Sequence, residues 1–236
     1  MNSFFSFHVY AFLFGIALLF NGDAHAQVTQ RTTIYNDFSG TFTQEKSISV
    51  LPKPLKSHGS FQFSYQDFGP HLIWKTLSPI ESVLTFDRQG VRQDVEGDTV
   101  WNISADRPAV STLTEVITAI LSSNWKVLDD YFEIRMPDLS KKEGEEKPIK
   151  RQGNIVVELK SREANLQSVI TSMTILLNPV ASEEKVTGTD DKETIVSYLD
   201  SLSNINSLVQ QIIMYEANSD QTRIKFFFDA QLSNHE

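Results

Sequence analysis

Ser57 and His58 are neighbours in the chain, and a hydroxyl beside an imidazole is the raw material of nucleophilic catalysis. That chemistry needs the two side chains to converge, whereas neighbours on an extended segment project to opposite faces. Beyond residue 26 the only other histidines are His71 and His235. No His-Glu-x-x-His, Gly-x-Ser-x-Gly, phosphate-binding loop or dinucleotide fingerprint occurs. The absence of cysteine excludes a disulfide framework, a thiolate metal site and a cysteine nucleophile. Asp129 and Asp130 are adjacent acids at the end of a helical pattern, where carboxylates ordinarily face solvent. No enzyme activity, metal or cofactor is expected. What the chain carries in quantity is apolar ring surface, much of it at alternate positions, and such a face makes either a packed core or a cavity for an apolar ligand. Composition leaves both open.

The elements that position those rings announce themselves by period-2 alternation, the mark of half-buried antiparallel strands. Phe61, Phe63 and Tyr65 share a face; so do Ile155, Val157 and Leu159, and Ile224, Phe226 and Phe228. Further strands are expected at 39–47, 72–77, 82–87, 90–96, 99–104, 131–136, 171–177 and 208–217, about eleven in all. Asp67-Phe68-Gly69-Pro70, Arg88-Gln89-Gly90, Gly97-Asp98 and Asn218-Ser219-Asp220 separate runs at hairpin spacing, so a meander follows. So many strands leave edges that must be closed or covered. The helical signal is concentrated in 111–130, where Leu113, Val116, Ile117 and Ile120 recur at three and four residues and Leu121, Trp125 and Leu128 continue the stripe. Ser111 is its expected N-cap. A shorter helical turn is expected over 163–170. Lys141 to Pro148 reads as a solvated hairpin tip and Asn178 to Asp191 as a polar insertion.

At 236 residues with a net charge of -9, the chain offers no basic footprint for nucleic acid. Phe4 to Phe20 is an uncharged apolar run of seventeen residues, followed by Ala24-x-Ala26. It is shorter than the roughly 20 residues of a spanning helix and has a small-residue cleavage pattern. Residues 1–26 are therefore expected to be a signal peptide cleaved before Gln27, without Lys or Arg in its first part, and 27–236 a single exported domain.

One stretch is more specific. Phe42-Thr43-Gln44-Glu45-Lys46, then Leu51-Pro52-Lys53-Pro54-Leu55-Lys56-Ser57-His58-Gly59-Ser60-Phe61, then Leu72-Ile73-Trp74-Lys75-Thr76 with Pro79, resemble in order the LolA-like family of periplasmic outer-membrane lipoprotein carriers. The Lys-Pro-Leu-Lys-Ser form is closest to the divergent LolA-related branch. The resemblance implies a mainly β fold, an unclosed antiparallel β-barrel with helices over its concave face and an apolar cavity for acyl chains. Phe42, Phe61, Phe63, Leu72, Trp74, Leu84, Phe86 and Phe226 are its candidate lining, with at least two of Phe61, Phe63 and Trp74 facing the hollow. Leu113, Val116, Ile117 and Ile120 are the candidate lid. The implied cargo is an acylated lipoprotein, or another amphiphile such as a glycolipid or acyl product that is carried or sensed. The implied partners are an inner-membrane releasing ATPase complex and an outer-membrane acceptor, served by a periplasmic monomer. The family's basic lid latch is either replaced or absent, because Gly59 to Trp74 contains no Arg or Lys.

Overall fold

The computed structural model describes residues 37–66, 69–137, 155–178, 191–202 and 209–229. The residues expected to form a signal peptide (1–26), those expected to form a hairpin tip (141–148) and the interior of the expected polar insertion (179–190) lie outside the described residues. Each alternating run forms a strand: β1 (Phe38–Ser47), β2 (Leu55–Gln66), β3 (Gly69–Ser78), β4 (Ser82–Asp87), β5 (Gly90–Val95), β6 (Asp98–Ser104), β7 (Phe132–Arg135), β8 (Ile155–Ser161), β9 (Ile170–Leu177), β10 (Val209–Glu216) and β11 (Gln221–Phe228). They make one antiparallel sheet in the order β6-β5-β4-β3-β2-β1-β11-β10-β9-β8-β7. Two meanders are thus joined where the first strand pairs with the last, Phe42 opposite Phe226. β6 and β7 are left as edges, so the barrel is unclosed.

That order dictates where the helices go. Between β6 and β7 the chain must pass from one edge of the sheet to the other, and it does so through α1 (Pro108–Leu121) and α2 (Trp125–Tyr131). The single helix expected over 111–130 is therefore two. Ser122-Ser123-Asn124 interrupts the apolar stripe: Ser123 takes a left-handed φ of 54°, and Asn124 Oδ1 accepts the Val127 N–H at 3.3 Å to start α2. Ser111 is not the N-cap. The helix begins earlier because Pro108, with its preset φ and no N–H to leave unpaired, suits a first turn and holds Arg107 extended. The turn expected over 163–170 is shorter, α3 (Ala164–Gln167), since Ile170 already pairs in β9. The two-residue connection after β5 is Glu96-Gly97, one position before the expected turn, with φ of 52° and 93°; two positive φ values match the twist of a tight hairpin.

A fourth helix, α4 (Lys192–Leu202), follows the polar insertion, where no helix was expected. It buries Ile195, Leu199 and Leu202 and packs on α2 and β7. Lys126 meets Asp200 at 3.0 Å, and Asp129 sits between Lys192 at 2.7 Å and Arg162 at 3.4 Å. Of the adjacent acids expected to face solvent, only Asp130 is exposed; Asp129 ties α2 to its neighbours. The core is continuous from the concave face of the sheet into α1, α2 and α4.

Candidate functional site

Strand alternation puts Leu72 and Trp74 of β3, Leu84 and Phe86 of β4, Met173 of β9, Ile212 and Met214 of β10, and Ile224 and Phe226 of β11 on the concave face. There they surround a cavity of about 80 Å³. The strands contributing to it are separated in the sheet by β1 and β2, so the sheet curves to bring them round one hollow. Ile170 completes the sheet side. The roof is α1, through Leu113, Val116, Ile117, Ile120 and Leu121. All fifteen lining residues are apolar in class, and most are almost wholly buried, with Ile117 half-buried.

Nine of the twelve residues singled out from sequence meet here: Leu72, Trp74, Leu84, Phe86 and Phe226 in the walls, and all four on α1 in the roof. Phe42, Phe61 and Phe63 do not line the hollow, so of Phe61, Phe63 and Trp74 only Trp74 does. The other three are consumed in packing. Phe42 stacks on Trp74 with ring centroids 4.0 Å apart, Phe61 meets Phe226 edge-on at 5.6 Å, and Phe63 stacks on Phe38 at 4.8 Å. Phe42 faces Gly59 across the β1–β2 pair. Any Cβ at Gly59 would stand 1.9 Å from the Lys75 carbonyl oxygen and 2.9 Å from the Phe42 ring, so the close approach requires glycine. Leu121, Ile170, Met173, Ile212, Met214 and Ile224 were missed as lining. Leu121 was legible on the helical stripe, Ile170 was placed in a helical turn, and the other four alternate on strands; which of these residues share one hollow depends on the β1–β11 pairing, which no local pattern encodes.

Two polar devices frame the site. Phe42, Gln44 and Lys46 all turn inward on β1, and Lys46 Nζ reaches both carboxylate oxygens of Glu216 at 2.9 Å; Thr222 donates to the same carboxylate at 2.8 Å. With both side chains largely withdrawn from solvent, the pair fixes β1 to the β10–β11 hairpin. On the roof, the Tyr131 hydroxyl at the end of α2 donates to Glu115 Oε2 of α1 at 2.6 Å. Burial, and then the Glu115 carboxylate that holds the proton, push this hydroxyl well above the usual tyrosine range. α1 and α2 are therefore tied to each other without a cation. Ser57 is buried and His58 exposed, on opposite faces of β2, so the adjacent pair does not converge. Among the described residues no group of His, Asp and Glu could hold a metal ion, and no helix is long and apolar enough to cross a membrane.

No family model matches the sequence, and neither does any curated protein. In shape the chain is similar to a domain named provisionally as an outer membrane lipoprotein-sorting protein from Vibrio parahaemolyticus (8% identity, TM-score 0.34, covering 85% of this chain and 87% of that one). It is also similar to a LolA superfamily protein from Nitrosomonas europaea (7% identity, TM-score 0.35, 84% and 87%). A DUF1329 family protein from Desulfovibrio piger is a third (9% identity, TM-score 0.36, 84% and 87%).

Proposed function

We propose that this chain is an exported, non-enzymatic carrier that shields the acyl chains of lipoproteins in the apolar cavity during transfer toward an outer membrane. The observation that carries the reading is an apolar hollow roofed by α1, the first of the two helices that connect the free edge strands of the sheet. Water-to-apolar transfer is worth about 0.8 kcal/mol per methylene, so a multiply acylated protein does not cross water unshielded. A carrier must also release its cargo, which favours a greasy surface with few directional contacts. At about 80 Å³ the hollow is far smaller than the roughly 300–1,000 Å³ of an open ligand site. In this reading the molecule is closed, and cargo enters as α1 swings outward.

An apolar lining selects by volume and not by headgroup, so a glycolipid or acyl product fits the same role. Export to a periplasm rests on the N-terminal layout, and a releasing ATPase complex and an outer-membrane acceptor are the partners such a carrier needs. The test is binding of an environment-sensitive apolar dye to the purified chain, followed by displacement with a synthetic triacylated peptide. Binding and displacement are expected. A folded protein that takes up no apolar probe would reduce the hollow to a packing defect.

A further inference from the structure

The turn between β1 and β2 carries its apolar side chains outward. Val50 is 84% exposed, more than any other large hydrophobic side chain among the described residues, and its neighbour Leu51 is 41% exposed. A lone exposed hydrophobe is ordinary, but this pair stands on a built support. The Leu51 N–H closes the turn onto the Ile48 carbonyl oxygen at 2.9 Å, and the Ser49 N–H donates to Asp220 Oδ1 at 2.9 Å. Asp220 is buried; its Oδ2 accepts the Asn218 side-chain amide at 3.0 Å, and its N–H donates to Asn218 Oδ1 at 3.0 Å. Pro52 and Pro54 stiffen the return to β2. Polar groups withdrawn into the protein thus hold two hydrocarbon side chains out in water.

The surroundings of the turn are basic in a chain that is acidic. From Lys46 to Lys56 there are three lysines and no acid, against a net charge of -9 for the whole. Lys46 is engaged by Glu216 and Lys56 meets Glu45 at 3.0 Å, whereas Lys53, two residues from Leu51, is exposed and makes no ion pair among the described residues. Leu77 is exposed toward the same end of the sheet, where β3 finishes opposite His58. Tyr65 and Phe227 are exposed toward the opposite end.

We propose that the β1–β2 turn docks the protein on an anionic phospholipid surface, with Val50 and Leu51 entering the interfacial layer and Lys53 meeting the headgroup phosphates. The charges favour this partner: the chain as a whole is repelled by such a surface, so the one apolar turn with a free cation sets the orientation of approach. Two side chains bury less hydrocarbon than a single myristoyl chain, whose membrane binding is already marginal and reversible, so the contact is a brief visit. The inference goes beyond the carrier reading and does not depend on what the cavity holds.

The chain has no cysteine, so Val50→Cys can carry one polarity-sensitive fluorophore, with Phe227→Cys as the control at the opposite end. With millimolar phosphatidylglycerol vesicles the label at 50 is expected to shift to the blue and the label at 227 to stay unchanged. Unlabelled Val50→Asp should bind these vesicles about tenfold more weakly than the wild type, the loss of one buried aliphatic side chain. Lys53→Gln should bind them about fivefold more weakly and match the wild type on phosphatidylcholine. Circular dichroism and dye uptake by the cavity should be the same in all of these variants, which separates failure of the docking surface from failure of the carrier reading. Equal shifts from both labels, or vesicle binding that survives Val50→Asp, overturn the proposal. No vesicle binding overturns it too, and if Val50→Asp then abolishes a concentration-dependent self-association, the turn is a contact between copies of this chain.

Discussion

The concave face has two halves made of similar material and put to different use. Around Phe38, Phe42, Phe61 and Phe63 the rings stack and meet edge-on, and none of the four lines the hollow. Beneath α1, where Leu113, Ile120, Ile212, Met214 and Ile224 join Trp74, Phe86 and Phe226, a hollow persists. Flat, rigid rings fill volume by meeting face or edge. Branched aliphatic chains and flexible methionines, brought together by a roof helix and distant strands, leave a gap that methionine can adapt to. Apolar character alone therefore does not mark a binding surface; the place where separately anchored elements face one another does.

Truncation separates the halves most sharply. Phe61→Ala should destabilise by about 3–5 kcal/mol, the range for a packed ring, with acyl binding retained by the folded fraction. Met214→Ala, beside existing space, should cost less than that and change acyl affinity instead; chemical denaturation and dye titration read the two effects. If the costs were reversed, the line between filled wall and hollow would be misplaced. Lys46→Ala should cost about 3 kcal/mol by denaturant unfolding, because Glu216 is left largely buried and unpaired at the floor of the filled half. Ile117→Glu tests the roof. In a fixed core an unpaired charge costs several kcal/mol out of a total stability of about 5–15, whereas a lid can turn it to water. The expected mutant is folded by circular dichroism, about 1–2 kcal/mol less stable and deficient in acyl binding; global unfolding would make α1 structural core.

The smallest effect concerns the tie between the helices. Tyr131→Phe should cost about 1 kcal/mol, one hydrogen bond, and increase the rate of dye exchange. Since folding raises the pKa of this hydroxyl, its contribution is fully present below about pH 10, where an unfolded tyrosine titrates, and is lost as pH climbs toward the folded value. Stability of the wild type should thus fall more steeply than that of Tyr131→Phe above about pH 10, as followed by thermal melts; parallel curves would remove Tyr131 from the lid.

Strands were readable from sequence wherever period-2 alternation ran long enough, as in Phe61, Phe63 and Tyr65, because half-burial writes itself locally. The roof was readable as an apolar stripe on 113–120. Its division at Ser123 was not, since a left-handed serine carries no signature of composition. α4 escaped because its apolar positions, Ile195, Leu199 and Leu202, are sparse among charges and gain meaning only once α2 and β7 are there to receive them. The same limit hid the Lys46–Glu216 pair and the Tyr131–Glu115 hydrogen bond, whose partners are far apart in sequence. Phe42, Phe61 and Phe63 could be seen to face inward; that they fill space and do not line it was set by neighbours such as Gly59.

The central claim, that α1 is a movable cover over a hydrocarbon hollow, is tested most directly by amide hydrogen exchange of residues 108–121 in the native chain with and without an acyl ligand. A cover opens without global unfolding, so α1 amides should exchange well ahead of those in β1, β2 and β11, with rates that shift when ligand occupies the hollow. Exchange of α1 at the slow rate of the central strands, indifferent to ligand, would contradict the claim.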